Sequence, residues 1–149
     1  MATNAQWIFD TTMGLIDEVN EQTGSTDTTD TREYKVRTLF ILNTLRGELY
    51  PYSDTFKDIE PGKRPIVSII ENFDDDIDLD DYICQTIMPY GLAAHLLLDE
   101  NPTSAAYFNE RYEELKAQLA RGLPQSSEDI EDVYSNHKDG LGYGWFSRW

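Results

Sequence analysis

The chain has 149 residues, the size of one ordinary domain, and its 28 acidic and 12 basic residues give a formal net charge of −16. This charge argues against a protein that binds nucleic acid or an anionic membrane through a basic surface. The single cysteine excludes an internal disulfide, and no apolar run approaches the ~20 residues of a membrane span. The first ten residues lack the pattern of a signal peptide, so we expect a soluble protein that is not exported by that route.

A first helix is predicted at residues 4–21. Its apolar positions recur at steps of three and four residues, which places them on one face of a helix. These positions are Ile8, Thr12, Leu15 and Val19. The small polar residues that follow, at positions 24–30, have side chains that bond their own backbone in turns, and they predict a loop.

A second helix is predicted to begin at Asp30. Asp30 and Glu33 have the spacing of a capping box, in which two side chains bond the free backbone N–H groups of a helix start. The helix should end near Tyr50, because Pro51 disfavours helical geometry in the residue before it. Its predicted buried face consists of Tyr34, Thr38, Ile41, Leu45 and Leu49.

Two contrasting segments follow the second helix. Residues 66–70 are rich in β-branched side chains, and the run is too short to decide between a strand and an extended segment. Residues 71–81 then contain six aspartates. The last of these precede a predicted helix, where the helix dipole favours negative charge.

Residues 79–121 predict two helices joined by a short turn. The apolar face of the first helix is Ile83, Ile87, Gly91, Ala94 and Leu98, and that of the second is Phe108, Tyr112, Leu115 and Leu119. Asn101 is predicted to cap the second helix, and Pro102 suits its first position because the missing N–H would be unpaired there. The hairpin is the best specified part of the chain.

The first helix of the hairpin contains four notable residues. Pro89 removes a backbone donor, so we expect either a kink before it or a new helix start there. Gly91 allows a neighbouring backbone to come close. Cys84 is interpreted as a core thiol and His95 as a hydrogen-bonded core histidine, because both lie on an apolar helix.

No motif in the chain indicates catalysis or a cofactor. A calcium-loop frame that starts at Asp74 lacks the required glycine and the final glutamate, and a second frame from Asp99 to Glu110 also lacks the glycine. Nucleophilic catalysis also needs a histidine base, and neither His95, on the apolar helix, nor His137, in the tail, has a suggestive setting. We therefore expect no enzyme, no cofactor and no metal site, while a small enzyme with an unrecognised site stays the weakest alternative.

These elements predict an all-α fold, a bundle of four to five helices within a domain at residues 1–124, followed by an extended tail at residues 125–149. The tail ends with four aromatic side chains and an arginine within seven residues, the residue types that dominate interface hot spots. They are Tyr143, Trp145, Phe146, Arg148 and Trp149. We expect them to bind a partner, with folding back onto the chain's own core as the alternative.

The stretch MPYGLAAHLLLDENPTSAAYFNERYEELKAQL, preceded by an isoleucine-rich segment and FDDDIDLDD, resembles the head–tail connector, or adaptor, proteins of tailed bacteriophages and prophages of Gram-positive hosts. Proteins of that class have "LAA-L" and "YEEL" patterns in a late helical hairpin, as Leu92, Leu96 and Tyr112 mark here. The resemblance covers about residues 34–121, and the N-terminal residues and the tail lie outside it.

The resemblance implies a virion structural protein at the head–tail junction, assembled in the bacterial cytoplasm. Its subunits form an oligomeric ring that docks to the portal protein, receives the tail or a stopper protein, and lets DNA pass without specific binding. An acidic lumen suits this role because carboxylates repel phosphates. The alternative is a small acidic prophage accessory or head-completion factor that acts by protein–protein interaction without forming a ring.

Overall fold

The computed structural model describes residues 2–18, 20–53 and 67–122, which form four α-helices and no β-strand. The helices are α1 (Ala5–Leu15), α2 (Arg32–Leu49), α3 (Met88–Leu96) and α4 (Pro102–Gly122). A short 3₁₀-helix, Tyr50–Tyr52, follows α2, and a π-helical segment, Ile83–Ile87, precedes α3. The predicted helical class is confirmed for these ranges, and the bundle with an extended tail stays a prediction.

Helix α1 is shorter than the sequence predicts. It begins after Asn4, whose side chain accepts a hydrogen bond from the Trp7 N–H at 2.9 Å. It ends at Leu15 rather than at residue 21, because Asp17 adopts a left-handed conformation with φ of 63°. The Glu18 N–H then bonds the Met13 carbonyl at 2.9 Å, which is the Schellman closure of a helix end.

Helix α2 begins two residues later than predicted, at Arg32, and Asp30 lies in the preceding turn. The predicted capping box is therefore wrong. The hydroxyl of Thr31 instead accepts from the Thr28 N–H at 2.9 Å and donates to the Thr26 carbonyl at 2.6 Å. These bonds shape the loop before the helix. The predicted end of the helix near residue 50 is confirmed.

Helix α3 is the centre of the core and packs against each of the other three α-helices. The hydroxyl of Tyr34 donates to the Glu100 carboxylate beside the start of α4, and Glu48 near the end of α2 pairs with Lys116 of α4 at 2.5 Å. Helices α2 and α4 therefore run parallel. The fully buried large side chains come from α1, α2, the segment before α3 and α3 itself: Ile8, Phe9, Met13, Leu42, Leu45, Leu49, Ile77, Ile83, Ile87, Met88, Leu92 and Leu96.

The hairpin of α3 and α4 agrees closely with the prediction from the sequence. Asn101 accepts a hydrogen bond from the Ser104 N–H at 3.1 Å, and Pro102 is the first residue of α4. Both predictions are confirmed. The predicted irregularity at Pro89 is also present, since the wider π-helical turn lies directly before α3 and the Met88 N–H bonds the Ile83 carbonyl.

Four predictions about side chains of the hairpin have different outcomes. Cys84 is fully buried, as expected. His95 is exposed, so its assignment to the core is wrong, and Leu98 is 60 % exposed. His95 lies on the side of α3 that faces solvent, and Leu98 lies two residues after the end of that helix. Gly91 does permit a close approach, but the neighbour is the Tyr112 ring and not a backbone.

The β-branched run forms no strand over residues 67–70, the part of it that is described. The side-chain amide of Asn43 in α2 bonds both backbone groups of Ile70, at 2.8 Å to the N–H and 3.0 Å to the carbonyl. Residue 66 lies outside the described ranges. Further along, the Gln6 N–H at the start of α1 bonds the Phe73 carbonyl at 2.9 Å, so the acidic segment supplies acceptors to free donors of that helix.

Candidate interaction surfaces

The side chains predicted to bind a partner lie outside the described residues. They are Tyr143, Trp145, Phe146, Arg148 and Trp149, and all belong to the predicted tail at residues 125–149. The structure therefore places none of them relative to the helices. The last described residue is Gly122, at the end of α4. The boundary predicted at residue 124 is likewise outside the described ranges.

Helix α2 has apolar side chains on its outer face. Val36 is 67 % exposed and Phe40 is 75 % exposed. The two residues are four positions apart, so they are neighbours on one side of the helix. Thr38 and Leu42 are buried on the other side, which faces the core. Val36 and Phe40 therefore point away from the helices that pack on α2.

Ile69 is a further exposed apolar residue, next in the chain to a residue that α2 holds by hydrogen bonds. Asn43 lies three residues after Phe40, on the same side of α2, and it holds the backbone of Ile70 through two hydrogen bonds. The preceding residue, Ile69, is 75 % exposed. We call the surface of Val36, Phe40 and Ile69 the α2 patch. It is flanked by exposed acids, since Glu33 precedes Val36 by one helical turn and Glu71 follows Ile69 by two residues.

Sequence reasoning did not single out the α2 patch, although a signal was present. The apolar stripe of α2 was assigned to the core, and valine and phenylalanine at positions 36 and 40 fall on the opposite face of the same helix. Large apolar residues on the solvent side of an amphipathic helix indicate a binding surface when they cluster. The position of Ile69 depends on the Asn43 contact to the next residue, Ile70, which no periodicity reveals.

The segment that connects the patch to α3 is strongly acidic. Residues 71–81 contain seven carboxylates and no basic residue, and Asp74, Asp76 and Asp78 are exposed. The backbone N–H groups of Asn72 and Glu71 bond the Asp75 carboxylate at 2.9 and 3.0 Å. These bonds hold the pKa of Asp75 below its usual value. The segment is thus negative at neutral pH and repels phosphate groups.

Among the described residues, Arg46 is the one charged residue whose side chain is buried, and no sequence pattern predicts this. Its Nε donates to the Ile77 carbonyl at 2.6 Å, and its other nitrogens donate to the carbonyl and hydroxyl of Ser68 and to the Asp78 carboxylate. It borders a cavity of about 390 Å³ that is also lined by Tyr50, Val67, Leu79 and Asp80. Because its donors are directed at these partners, we infer that the hydrogen bonds of Arg46 hold the acidic segment against α2.

Cys84 is the single cysteine of the chain, and its side chain is fully buried. Burial, with a smaller contribution from Asp81, raises the pKa of the Cys84 thiol to about 12. The thiol therefore stays protonated at neutral pH and is a poor nucleophile. Within residues 2–18, 20–53 and 67–122, no three histidine, cysteine, aspartate or glutamate side chains come together in a way that would hold a metal ion.

Comparisons of the chain with protein-family models, with curated proteins and with solved structures found no match. Among the helices described, none combines the length and the apolar composition needed to cross a bilayer.

Proposed function

We propose that this chain is a non-enzymatic structural protein, a subunit of a head–tail connector ring of a tailed bacteriophage or prophage. The observation that carries the proposal is the α2 patch. A chain that exposes Val36 and Phe40 on a helix whose other face is well packed has a surface suited to another protein.

Covering the α2 patch with a partner protein is favoured by the hydrophobic effect. Burying apolar area is favourable by roughly 25 cal/mol per Å², and a large side chain such as phenylalanine gains about 1.5–3 kcal/mol when it is fully buried. Phe40 and Ile69 gain little of this in the free chain, because each is 75 % exposed. A neighbouring protein that covers the patch recovers that free energy. The acids beside the patch give the polar rim that is usual at such interfaces.

The charge of the chain supports the same role. A ring that surrounds DNA without binding it needs a surface that repels phosphates, and a net charge of −16 supplies one. In this proposal the exposed carboxylates of residues 71–81 are candidates for the lumen. The partners are the portal protein on one side and a tail or stopper protein on the other. The site of action is the head–tail junction of the virion, after assembly in the bacterial cytoplasm.

The resemblance of residues 34–121 to connector proteins supplies the specific identity in this proposal. The finer description of the fold, a helical bundle at residues 1–124 with an extended C-terminal tail, belongs to the same proposal. The packing of α3 against α1, α2 and α4 supports the bundle. The competing proposal is an accessory or head-completion factor that uses the same patch to bind another protein and never forms a ring.

Native mass spectrometry of the purified chain, alone and mixed with the portal protein of the same phage, separates these proposals. A closed oligomer of one defined subunit number, or a stoichiometric oligomeric complex with the portal, supports the connector. A chain that stays monomeric alone and binds another assembly protein as a single copy favours the accessory factor. Absence of any oligomer and of any portal complex overturns the connector proposal.

A further inference from the structure

The residue types of the C-terminal segment are chemically complementary to those of the α2 patch. The patch consists of Val36, Phe40 and Ile69, with the exposed carboxylate of Glu33 one turn from Val36. The segment at residues 141–149 offers four large aromatic side chains and one arginine. Aromatic side chains bury large area at low rotamer cost, and an arginine pairs well with a carboxylate at an interface.

We propose that the α2 patch is the docking site for residues 141–149 of a neighbouring copy of this chain. The inference rests on the proposed ring and names the contact that joins its subunits. Each copy then gives its C-terminal segment to one neighbour and receives that of the other. Arg148 lies between Phe146 and Trp149 in the sequence, so it can reach Glu33 or Glu71 when the aromatic side chains cover Phe40.

The chain is long enough for this contact. Lys116 pairs with Glu48, so the end of α4 lies beside the end of α2. Phe40 lies eight residues before Glu48, which is about 12 Å along the helix. The 18 residues at positions 123–140 span up to about 60 Å when extended. Residues 123–140 are therefore long enough for the segment to contact the α2 patch of a neighbouring copy.

The direction of docking follows from symmetry. A ring is closed by a heterologous interface, in which each subunit presents two different surfaces that fit one another. The patch and the segment are two such surfaces on one chain. The patch also lies on the side of α2 away from the core, because Leu45 approaches Gly91 of α3 and is buried with Thr38 and Leu42 on the other side of that helix. A segment arriving from the outside meets the patch without crossing the chain's own helices.

The test uses two defective chains and their mixture. Phe40→Glu damages the patch, and a chain that ends at Gly140 lacks the segment. Tyr107→Glu is the matched control, because Tyr107 is 61 % exposed on α4, outside the patch. Native mass spectrometry gives the subunit number, and thermal melting confirms that each variant is folded. If the parent assembles only with portal protein, all samples are measured in its presence.

We expect the parent and Tyr107→Glu to assemble fully, while Phe40→Glu and the shortened chain stay monomeric. Their equimolar mixture should form a one-to-one dimer, since it contains one intact patch and one intact segment per pair. Assembly of Phe40→Glu like the parent, or a mixture that stays monomeric, overturns this inference and leaves the ring proposal standing. A parent that forms no oligomer under either condition overturns both.

Discussion

Gly91 of α3 lies against the ring of Tyr112 in α4, so closely that a Cβ added at Gly91 would be 3.0 Å from the ring atoms Cδ2 and Cε2. The same Cβ would be 3.1 Å from Leu45 Cδ1 of α2. Contacts this short are tighter than nine in ten of those that real Cβ atoms make, so the Tyr112 ring and Leu45 would have to shift by a few tenths of an ångström. The absence of a side chain at this one position allows three helices to meet.

We therefore expect Gly91→Ala to destabilise the fold by roughly 1–3 kcal/mol, because the gain in helix propensity does not offset the overpacking. Denaturant unfolding monitored by circular dichroism measures the change. Gly47→Ala in α2 is the control, since nothing lies within 4 Å of a Cβ there. It should stabilise the chain by about 0.5–1 kcal/mol. Equal effects of the two substitutions would show that α3 and α4 are not so closely packed.

Leu96 and Leu98 are matched in chemistry but differ in environment. Leu96 is fully buried and Leu98 is 60 % exposed. Leu96→Asp should unfold or aggregate the protein, because burial of an unpaired carboxylate costs several kcal/mol against a total stability of roughly 5–15 kcal/mol. Leu98→Asp should melt within a few degrees of the parent. If Leu96→Asp melts like the parent, α3 is not the centre of the core.

Substitution of Arg46 tests whether its hydrogen bonds hold the acidic segment against α2. Arg46→Met leaves the carbonyls of Ser68 and Ile77 without their donor, and we expect a loss of roughly 2–5 kcal/mol in the free energy of unfolding. Asp78→Asn should cost less than about 1 kcal/mol, since the Asp78 side chain is 68 % exposed. A larger loss at Asp78 than at Arg46 would mean that the ion pair, and not the carbonyl contacts, holds the segment.

The buried thiol predicts the behaviour of the protein in alkali. Burial raises the pKa of Cys84 from 9.0 to about 12 in the folded state. Between these values the folded chain holds a proton that the unfolded chain releases, so the free energy of unfolding falls as the pH rises through this window. Below pH 9 the thiol is protonated in both states and contributes no pH dependence.

Chemical denaturation from pH 8 to pH 11 measures that slope. Cys84→Ala lacks the titrating thiol and should show a smaller decrease in stability with pH than the parent. Tyrosines contribute equally to both chains, so the difference between the two slopes isolates the thiol. Identical slopes would place Cys84 in contact with solvent.

The sequence predicted the main helices because their apolar periodicity and their caps are local. Asn101 and Pro102 define the start of α4 through their own chemistry, and the structure confirms both. The end of α1 was missed, because Asp17 takes a left-handed conformation that glycine usually provides. Arg46 was missed since its partners Ser68 and Ile77 lie more than twenty residues away in sequence.

The interaction surfaces were predicted less well than the helices. Composition alone selected the aromatic C-terminal residues, which lie outside the described ranges. The α2 patch requires knowledge of which face of α2 is covered and of the Asn43 contact that holds Ile70, the residue after Ile69, against α2. The covered face and the Asn43 contact depend on tertiary packing, which the periodicity of apolar residues along a helix does not reveal.

The central claim is that this chain assembles into a connector ring, and the native mass of the purified protein tests it most directly. We predict that the full chain forms a closed oligomer of one subunit number, alone or with portal protein. The chain shortened after Gly140 should be a folded monomer whose helical signal in circular dichroism matches that of the parent. A full-length chain that remains monomeric under both conditions would contradict the account.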